Sequence, residues 1–144
     1  MTEAKSRTVL LVEGNADERR ALSNLLSGSG FDVVVAVDYE SAKKSLDKSV
    51  PELAVIATRM SAGPSGFVAL RDFKSRGGES AVALLPEPNF DEAVAAFRLG
   101  ASDVQVKPPR ATELVGALKR GLGELGDPPR GGGMMTSEGE NSVE

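Results

Sequence analysis

Five short apolar runs, separated by segments of helical spacing, constrain the fold of this chain before any single residue is considered. The runs cover residues 9–12, 33–36, 53–57, 81–85 and 104–106. None alternates strictly between apolar and polar, which is the pattern of strands covered on both faces. Between them apolar residues return at intervals of three and four: Leu22, Leu25 and Leu26; Ala42 and Leu46; Phe67, Leu70 and Phe73; Ala93, Ala96 and Phe97; Leu114, Val115, Leu118 and Leu122. Start and stop signals fall where this division needs them. Asn15 with Glu18, and Asn89 with Glu92, have capping-box spacing; Gly28 and Gly30 close the first helix and Gly100 the fourth. The glycines at 121–123 mark another helix end and form no nucleotide motif.

Strand then helix, five times over, predicts an α/β fold with a doubly wound, five-stranded parallel sheet. Parallel neighbours need a crossover, and the helices making it cover both faces. About 120 residues suit such a domain, and its binding crevice lies beyond the carboxyl ends of the strands, where the strand order reverses. Candidate functional residues are therefore those that end each strand: Glu13 and Gly14, Ala57 and Thr58, Pro86 and Glu87, and Lys107.

Composition removes most chemistry from consideration. The 144 residues include no Cys and no His, so disulfides, thiolate or imidazole zinc sites, Cys nucleophiles, Ser-His triads and histidyl phosphotransfer are all excluded. Of the net charge of −4, all resides in residues 123–144, where five acidic groups face Arg130 alone; residues 1–122 are neutral. A neutral body exerts no long-range pull on a polyanion, so nucleic acid is not an expected partner. The tail, with its Asp127-Pro128-Pro129 and run of glycines, is expected to be a disordered acidic segment or linker following a domain at 1–122. The longest apolar run is five residues, far below the ~20 of a membrane span. The expected location is the cytoplasm, without membrane contact.

At the strand ends a family resemblance emerges. Val9-Leu10-Leu11-Val12-Glu13, the Pro51-Glu52-Leu53 lead into the third strand, Met60, Gly66, Leu99-Gly100-Ala101-Ser102-Asp103 and Lys107-Pro108 together resemble a response-regulator receiver domain, the flavodoxin-like module of two-component signalling. The resemblance covers residues 7–122. It implies a carboxylate at the end of the third strand that accepts a phosphoryl group, and a magnesium ion held by that carboxylate and an acidic pair after the first strand. It also implies a hydroxyl residue after the fourth strand, an aromatic switch residue on the fifth, and a lysine at its end.

This chain departs from that pattern at nearly every position. Ala57 stands at the phosphoacceptor position; Glu13 fills the first acidic position but Gly14 the second; Pro86 replaces the hydroxyl residue and Val104 the aromatic one; only Lys107 matches. A methyl group can neither attack phosphorus nor ligate a metal. The resemblance so altered implies a degenerate pocket with no catalysis, no cofactor and no metal. Glu13 and Lys107 are then free to pair with each other, at the ~0–1 kcal/mol of an exposed ion pair. The expected function is a non-phosphorylatable pseudo-receiver, not an enzyme, serving as a constitutive protein-interaction or localisation module in bacterial signalling, with a homodimer possible. Its expected docking face is the fourth helix, fifth strand and fifth helix, with Arg98, Val104, Gln105, Arg110, Val115 and Lys119 as candidate contacts. The alternative is an atypical receiver switched by a small anion or metabolite held at Lys107, or by phosphorylation elsewhere, at Thr58, Ser61 or Ser65.

Overall fold

Each apolar run forms a strand and each helical segment a helix. A computed structural model describes residues 7–61 and 65–124. Its elements are β1 (Arg7–Val12), α1 (Ala16–Gly28), β2 (Phe31–Ala36), α2 (Tyr39–Lys48), β3 (Leu53–Ala57), α3 (Gly66–Ser75), β4 (Ser80–Leu85), α4 (Phe90–Arg98), β5 (Asp103–Val106) and α5 (Ala111–Gly121). The strands pair in the order β2-β1-β3-β4-β5, all parallel. This is the flavodoxin-like, doubly wound sheet that the sequence predicts, and its order reverses between β1 and β3.

Side chains that alternate along the central strands divide the interior into two cores. Leu10, Val12, Ala54, Ile56 and Ala83 face α2, α3 and α4, where Leu46, Leu70 and Phe73 meet them. Val9, Leu11, Val55, Val82 and Leu84 face α1 and α5, against Leu26, Leu114 and Leu118. Each fully buried Leu, Val or Phe contributes roughly 1.5–3 kcal/mol of transfer free energy, so these residues hold the fold.

The expectation that all five strands are covered on both faces holds for β1, β3 and β4 only. β2 and β5 are edges, and Val34, Val35 and Val106 remain 40, 48 and 39% exposed. An edge strand has fewer neighbours to cover it whatever its composition. Phe97, expected in the core beside Ala96, is 51% exposed, while Ala96 is fully buried. Ala96 is the one fully buried residue of α4, and its small side chain lets the helix sit close to the sheet.

The predicted caps form, but each capping box is only half made. Asn15 accepts from the Glu18 amide at 2.9 Å and Asn89 from the Glu92 amide at 2.9 Å. The reciprocal arm is absent because Glu18 and Glu92 have other partners, described below. A complete box occurs where the sequence reading had none: Asp38 accepts from the Ser41 amide at 2.8 Å, and the Asp38 amide donates to Ser41 Oγ at 3.2 Å. Donation from the Ser41 amide, and from its hydroxyl at 2.9 Å, holds the Asp38 carboxyl below the usual carboxylate range. Across the α2–α3 contact, the single tyrosine, Tyr39, donates from its hydroxyl to Asp72 Oδ2 at 3.4 Å.

Gly100 and Gly123, at φ of +104° and +78°, close α4 and α5 in a conformation that favours glycine. Beyond the expected boundary at residue 122, the Glu124 amide donates to the Lys119 carbonyl at 3.0 Å and the Glu124 carboxylate pairs with Arg7. The remainder of the expected tail, 125–144, lies outside the described residues. Among the described residues no helix is long and apolar enough to cross a membrane.

Candidate functional site

The reversal of strand order between β1 and β3 brings the carboxyl ends of these two strands side by side, with Val12 opposite Ile56. The Glu13 amide donates to the Ala36 carbonyl at 3.0 Å, carrying the β1–β2 ladder one residue further and holding Glu13 at the crevice. Its side chain is 2% exposed. Glu13 Oε2 accepts from the Asn15 amide at 3.0 Å, and this is the bond that takes the place of the missing capping arm. Arg19 Nη1 donates to the Glu13 carbonyl at 3.0 Å, which fixes the turn from below.

From the other side, β5 delivers Lys107, whose amide donates to the Leu85 carbonyl at 2.9 Å. The Lys107 ammonium lies 2.7 Å from Glu13 Oε1 and 2.7 Å from Glu18 Oε1. The expected Glu13–Lys107 pair therefore forms, with two corrections. It is buried, its side chains only 2 and 16% exposed, so the strength of an exposed pair does not describe it. It is also a triad: Glu18, on the first turn of α1, joins it. Opposite charges this close attract by about 6 kcal/mol at an effective dielectric near 20, most of which desolvation offsets. Burial lowers the Lys107 pKa, but Glu13 and Glu18 outweigh it and hold the ammonium above its ordinary value.

Ala57 and Thr58 end β3 and are both 1% exposed. Here the chain returns abruptly into α3: the Thr58 amide donates to the Leu84 carbonyl and the Gly66 amide to the Thr58 carbonyl, each at 3.0 Å. A Cβ on Gly66 would lie 1.8 Å from the Ala57 carbonyl oxygen, so the residue there must be glycine for α3 to begin so close to the strand. The Thr58 hydroxyl points inward, 3.4 Å from the Leu84 carbonyl. Ser61 is exposed and Ser65 half-buried. Gly63 and Pro64, expected to set a turn in this loop, lie outside the described residues.

At Gly14, a Cβ would meet its nearest neighbour, the Val37 carbonyl oxygen, at an ordinary 3.4 Å, so the absence of a side chain is not forced by packing. Pro86 is exposed and lines, with Leu22, Leu25, Lys107 and Pro108, a groove of about 390 Å³ that opens toward α1 rather than over Ala57. The Lys107–Pro108 peptide is cis.

These side chains do not fit the magnesium ion that the resemblance implies. Neither Gly14 nor Ala57 offers a side-chain oxygen, and the two carboxylates present converge on an ammonium that already supplies their positive charge. Among the described residues no three Asp, Glu, His or Cys gather as a metal site requires.

One functional candidate left no trace in the sequence. Arg59, two residues past Ala57, reaches α4 and pairs with Glu92 at 2.9 Å and Glu87 at 3.5 Å, holding the loop after β3 to the loop after β4. The capping-box reading assigned Glu92 to Asn89, and no local spacing links Arg59 to a partner 33 residues away.

On the expected docking face, Arg98, Arg110 and Lys119 are exposed. Val104 and Val115 are half-buried packing residues, one against each core. Gln105 Nε2 donates to Asp103 Oδ2 at 3.0 Å and to the Glu113 carbonyl at 3.1 Å. The most prominent apolar groups there are others: Phe90 at 80% exposure, Phe97, and Val106 on β5. Seven residues separate the two phenylalanines, which places them on one stripe of α4; that interval was the available signal.

A doubly wound sheet with a lysine and acidic side chains at the carboxyl ends of its strands is the architecture of two-component receiver modules. Residues 9–119 match the response regulator receiver domain, and the chain belongs to that family. It is 32% identical over 120 residues to the transcriptional regulatory protein PrrA of Mycobacterium tuberculosis, an alignment covering 82% of this chain and 51% of PrrA. It is 30% identical over 117 residues to the phosphate regulon transcriptional regulatory protein PhoB of Escherichia coli, covering 79% of this chain and 51% of PhoB. The chain thus spans about half the length of these relatives. Among solved structures, the receiver domain of NtrX from Brucella abortus is 27% identical with a TM-score of 0.73, covering 80% of this chain and 98% of that one. A CheY-like receiver domain protein of Methanospirillum hungatei, 18% identical, shares the fold with a TM-score of 0.75, over 83% of this chain and 96% of its own.

Proposed function

We propose that this chain is a pseudo-receiver: a receiver domain without phosphoryl-transfer chemistry that acts as a constitutive protein-docking or localisation module in bacterial, cytoplasmic signal transduction. The observation that carries this reading is the methyl group of Ala57, 1% exposed under the start of α3, at the position that the family resemblance assigns to the phosphoacceptor. A methyl group has no lone pair with which to attack phosphorus. The Glu13–Lys107–Glu18 triad supports the reading independently, since it satisfies the lysine that would otherwise contact a phosphoryl oxygen.

The docking surface in this proposal is the face of α4, β5 and α5, with Phe90, Phe97 and Val106 added to the charged candidates at its rim. With Pro86 and Val104 at the switch positions, and Arg59 holding the loop to α4, this face keeps one shape. Neither a hydroxyl nor an aromatic side chain is present to couple it to the pocket. An anion at Lys107 would have to displace two carboxylates. Thr58 is unavailable to a kinase because it is buried, which leaves Ser61 and Ser65 as the residues through which the alternative could operate.

The test is magnesium titration followed by acetyl phosphate or beryllium fluoride, monitored by intact mass and by amide chemical shifts. The expected outcome is an unchanged mass and no saturable shift at residues 13, 57 or 107. A magnesium-dependent phosphoryl adduct overturns the proposal. A mass increase that maps to Ser61 or Ser65 after incubation with a kinase moves the assignment to the alternative.

A further inference from the structure

A second groove lies at the opposite pole from the pocket, at the amino ends of β1 and β3. It measures about 890 Å³ and runs along α2. One wall is cationic and hydroxylic, with Lys44, Ser45 and Lys48 on α2 and Arg7 at the mouth; the floor is apolar, with Val34, Val50 and Pro51. Val34, on the edge strand, is 40% exposed there. Lys43, one residue from the wall, pairs with Asp47 at 3.5 Å, but among the described residues Lys44 and Lys48 have no carboxylate within salt-bridge reach. Two cations four residues apart on one helix repel each other unless an anion lies between them. Glu52 on the rim is directed to Arg7, at 3.9 Å.

We propose that this groove is the docking site of the chain's own acidic segment, residues 125–144. Three observations converge on that occupant. First, the described body ends next to the groove: Glu124, its last residue, pairs with Arg7, which lines it. Second, charge and character match. Segment 125–144 has four acidic groups against Arg130 alone, and Met134 and Met135 precede Glu138 and Glu140. That supplies apolar side chains for the Val34–Val50 floor and carboxylates for Lys44 and Lys48. Third, reach is ample. The groove follows a ten-residue helix, about 15 Å long, and fourteen extended residues from Glu124 to Glu138 reach up to about 46–50 Å. Covalent attachment holds the segment at an effective concentration on the order of millimolar, so a few exposed ion pairs and a modest apolar contact suffice.

The absence of cysteine makes a direct test available in the full chain. A nitroxide on S142C broadens nearby amide resonances, and the expected result is selective broadening at Val34, Ser45, Lys48 and Val50. It should disappear in K44Q/K48Q and in E138Q/E140Q/E144Q. It should fade near 1 M salt, where the Debye length is about 3 Å. Uniform broadening, broadening centred on α4 and β5, or broadening unchanged in K44Q/K48Q overturns the proposal. So does equal broadening of unlabelled-nitroxide, ¹⁵N-enriched chain mixed with nitroxide-bearing chain, which would make the occupant a second copy.

Discussion

At the carboxyl end of the sheet, charged groups are buried and answer one another; on α4 and β5, apolar groups stand in water. Glu13, at 2% exposure, is held by Lys107 and by the Asn15 amide, whereas Phe90 is 80% exposed with no apolar cover. Globular proteins ordinarily reverse this arrangement, because burying a carboxylate requires a partner and exposing a phenyl ring forgoes transfer free energy. The difference separates two kinds of architecture within one receiver fold: a pocket closed upon itself, and a surface that remains incomplete until something covers it.

Breaking the pocket should have the largest effect. Lys107→Ala leaves Glu13 buried without its cation and should lower stability by about 3 kcal/mol, the low end for breaking a buried pair because the ammonium retains some water. Urea denaturation measures this, and a change under about 0.5 kcal/mol would mean that the pair behaves as an exposed one. The pH dependence follows from the raised Lys107 pKa: the stabilisation is fully present below the unfolded value, near 10.4, and is lost as pH rises through the higher folded value. The gap between wild type and Lys107→Ala should therefore narrow above about pH 10.4.

The surface should respond in the opposite sense. Phe90→Asp with Phe97→Asp should change stability by no more than about 0.5 kcal/mol per site. It should weaken self-association or partner binding about tenfold or more, since aromatic residues are the usual anchors of such faces. Sedimentation over a concentration series, or capture of a labelled partner, reads the loss, and Lys107→Ala should leave the same binding intact. Equal sensitivity to both changes would show that pocket and face are coupled after all.

The smallest effect concerns the tie between the two regions. Arg59→Ala removes the contacts to Glu92 and Glu87. Faster hydrogen exchange at the amides of Phe90, Asp91 and Glu92 is expected, with little movement of the denaturation midpoint. Unchanged exchange there would assign the fixing of α4 to its packing alone.

How much of this the sequence disclosed depends on the range over which each feature is determined. Strand and helix identity are local: β3 was legible residue for residue because five consecutive apolar side chains admit few alternatives. The Glu13–Lys107 contact was legible because the topology brings strand ends together. Glu18 and Arg59 were not, because each has the spacing of a helix-cap or loop residue and its true partner is distant, 89 and 33 residues away. The exposure of β2 and Val106 was hidden for another reason. Whether an apolar strand lies at the centre or the edge is decided by strand order, which composition does not encode.

Tyr39 carries a practical consequence. In a chain without tryptophan it supplies the tyrosine band of the near ultraviolet, to the red of phenylalanine absorption, and its hydroxyl faces Asp72 across the junction of the second and third helices. A melt followed at that wavelength therefore times the parting of those two helices. Set beside a far-ultraviolet melt, it reveals whether the edge bearing the second strand lets go before the central sheet does.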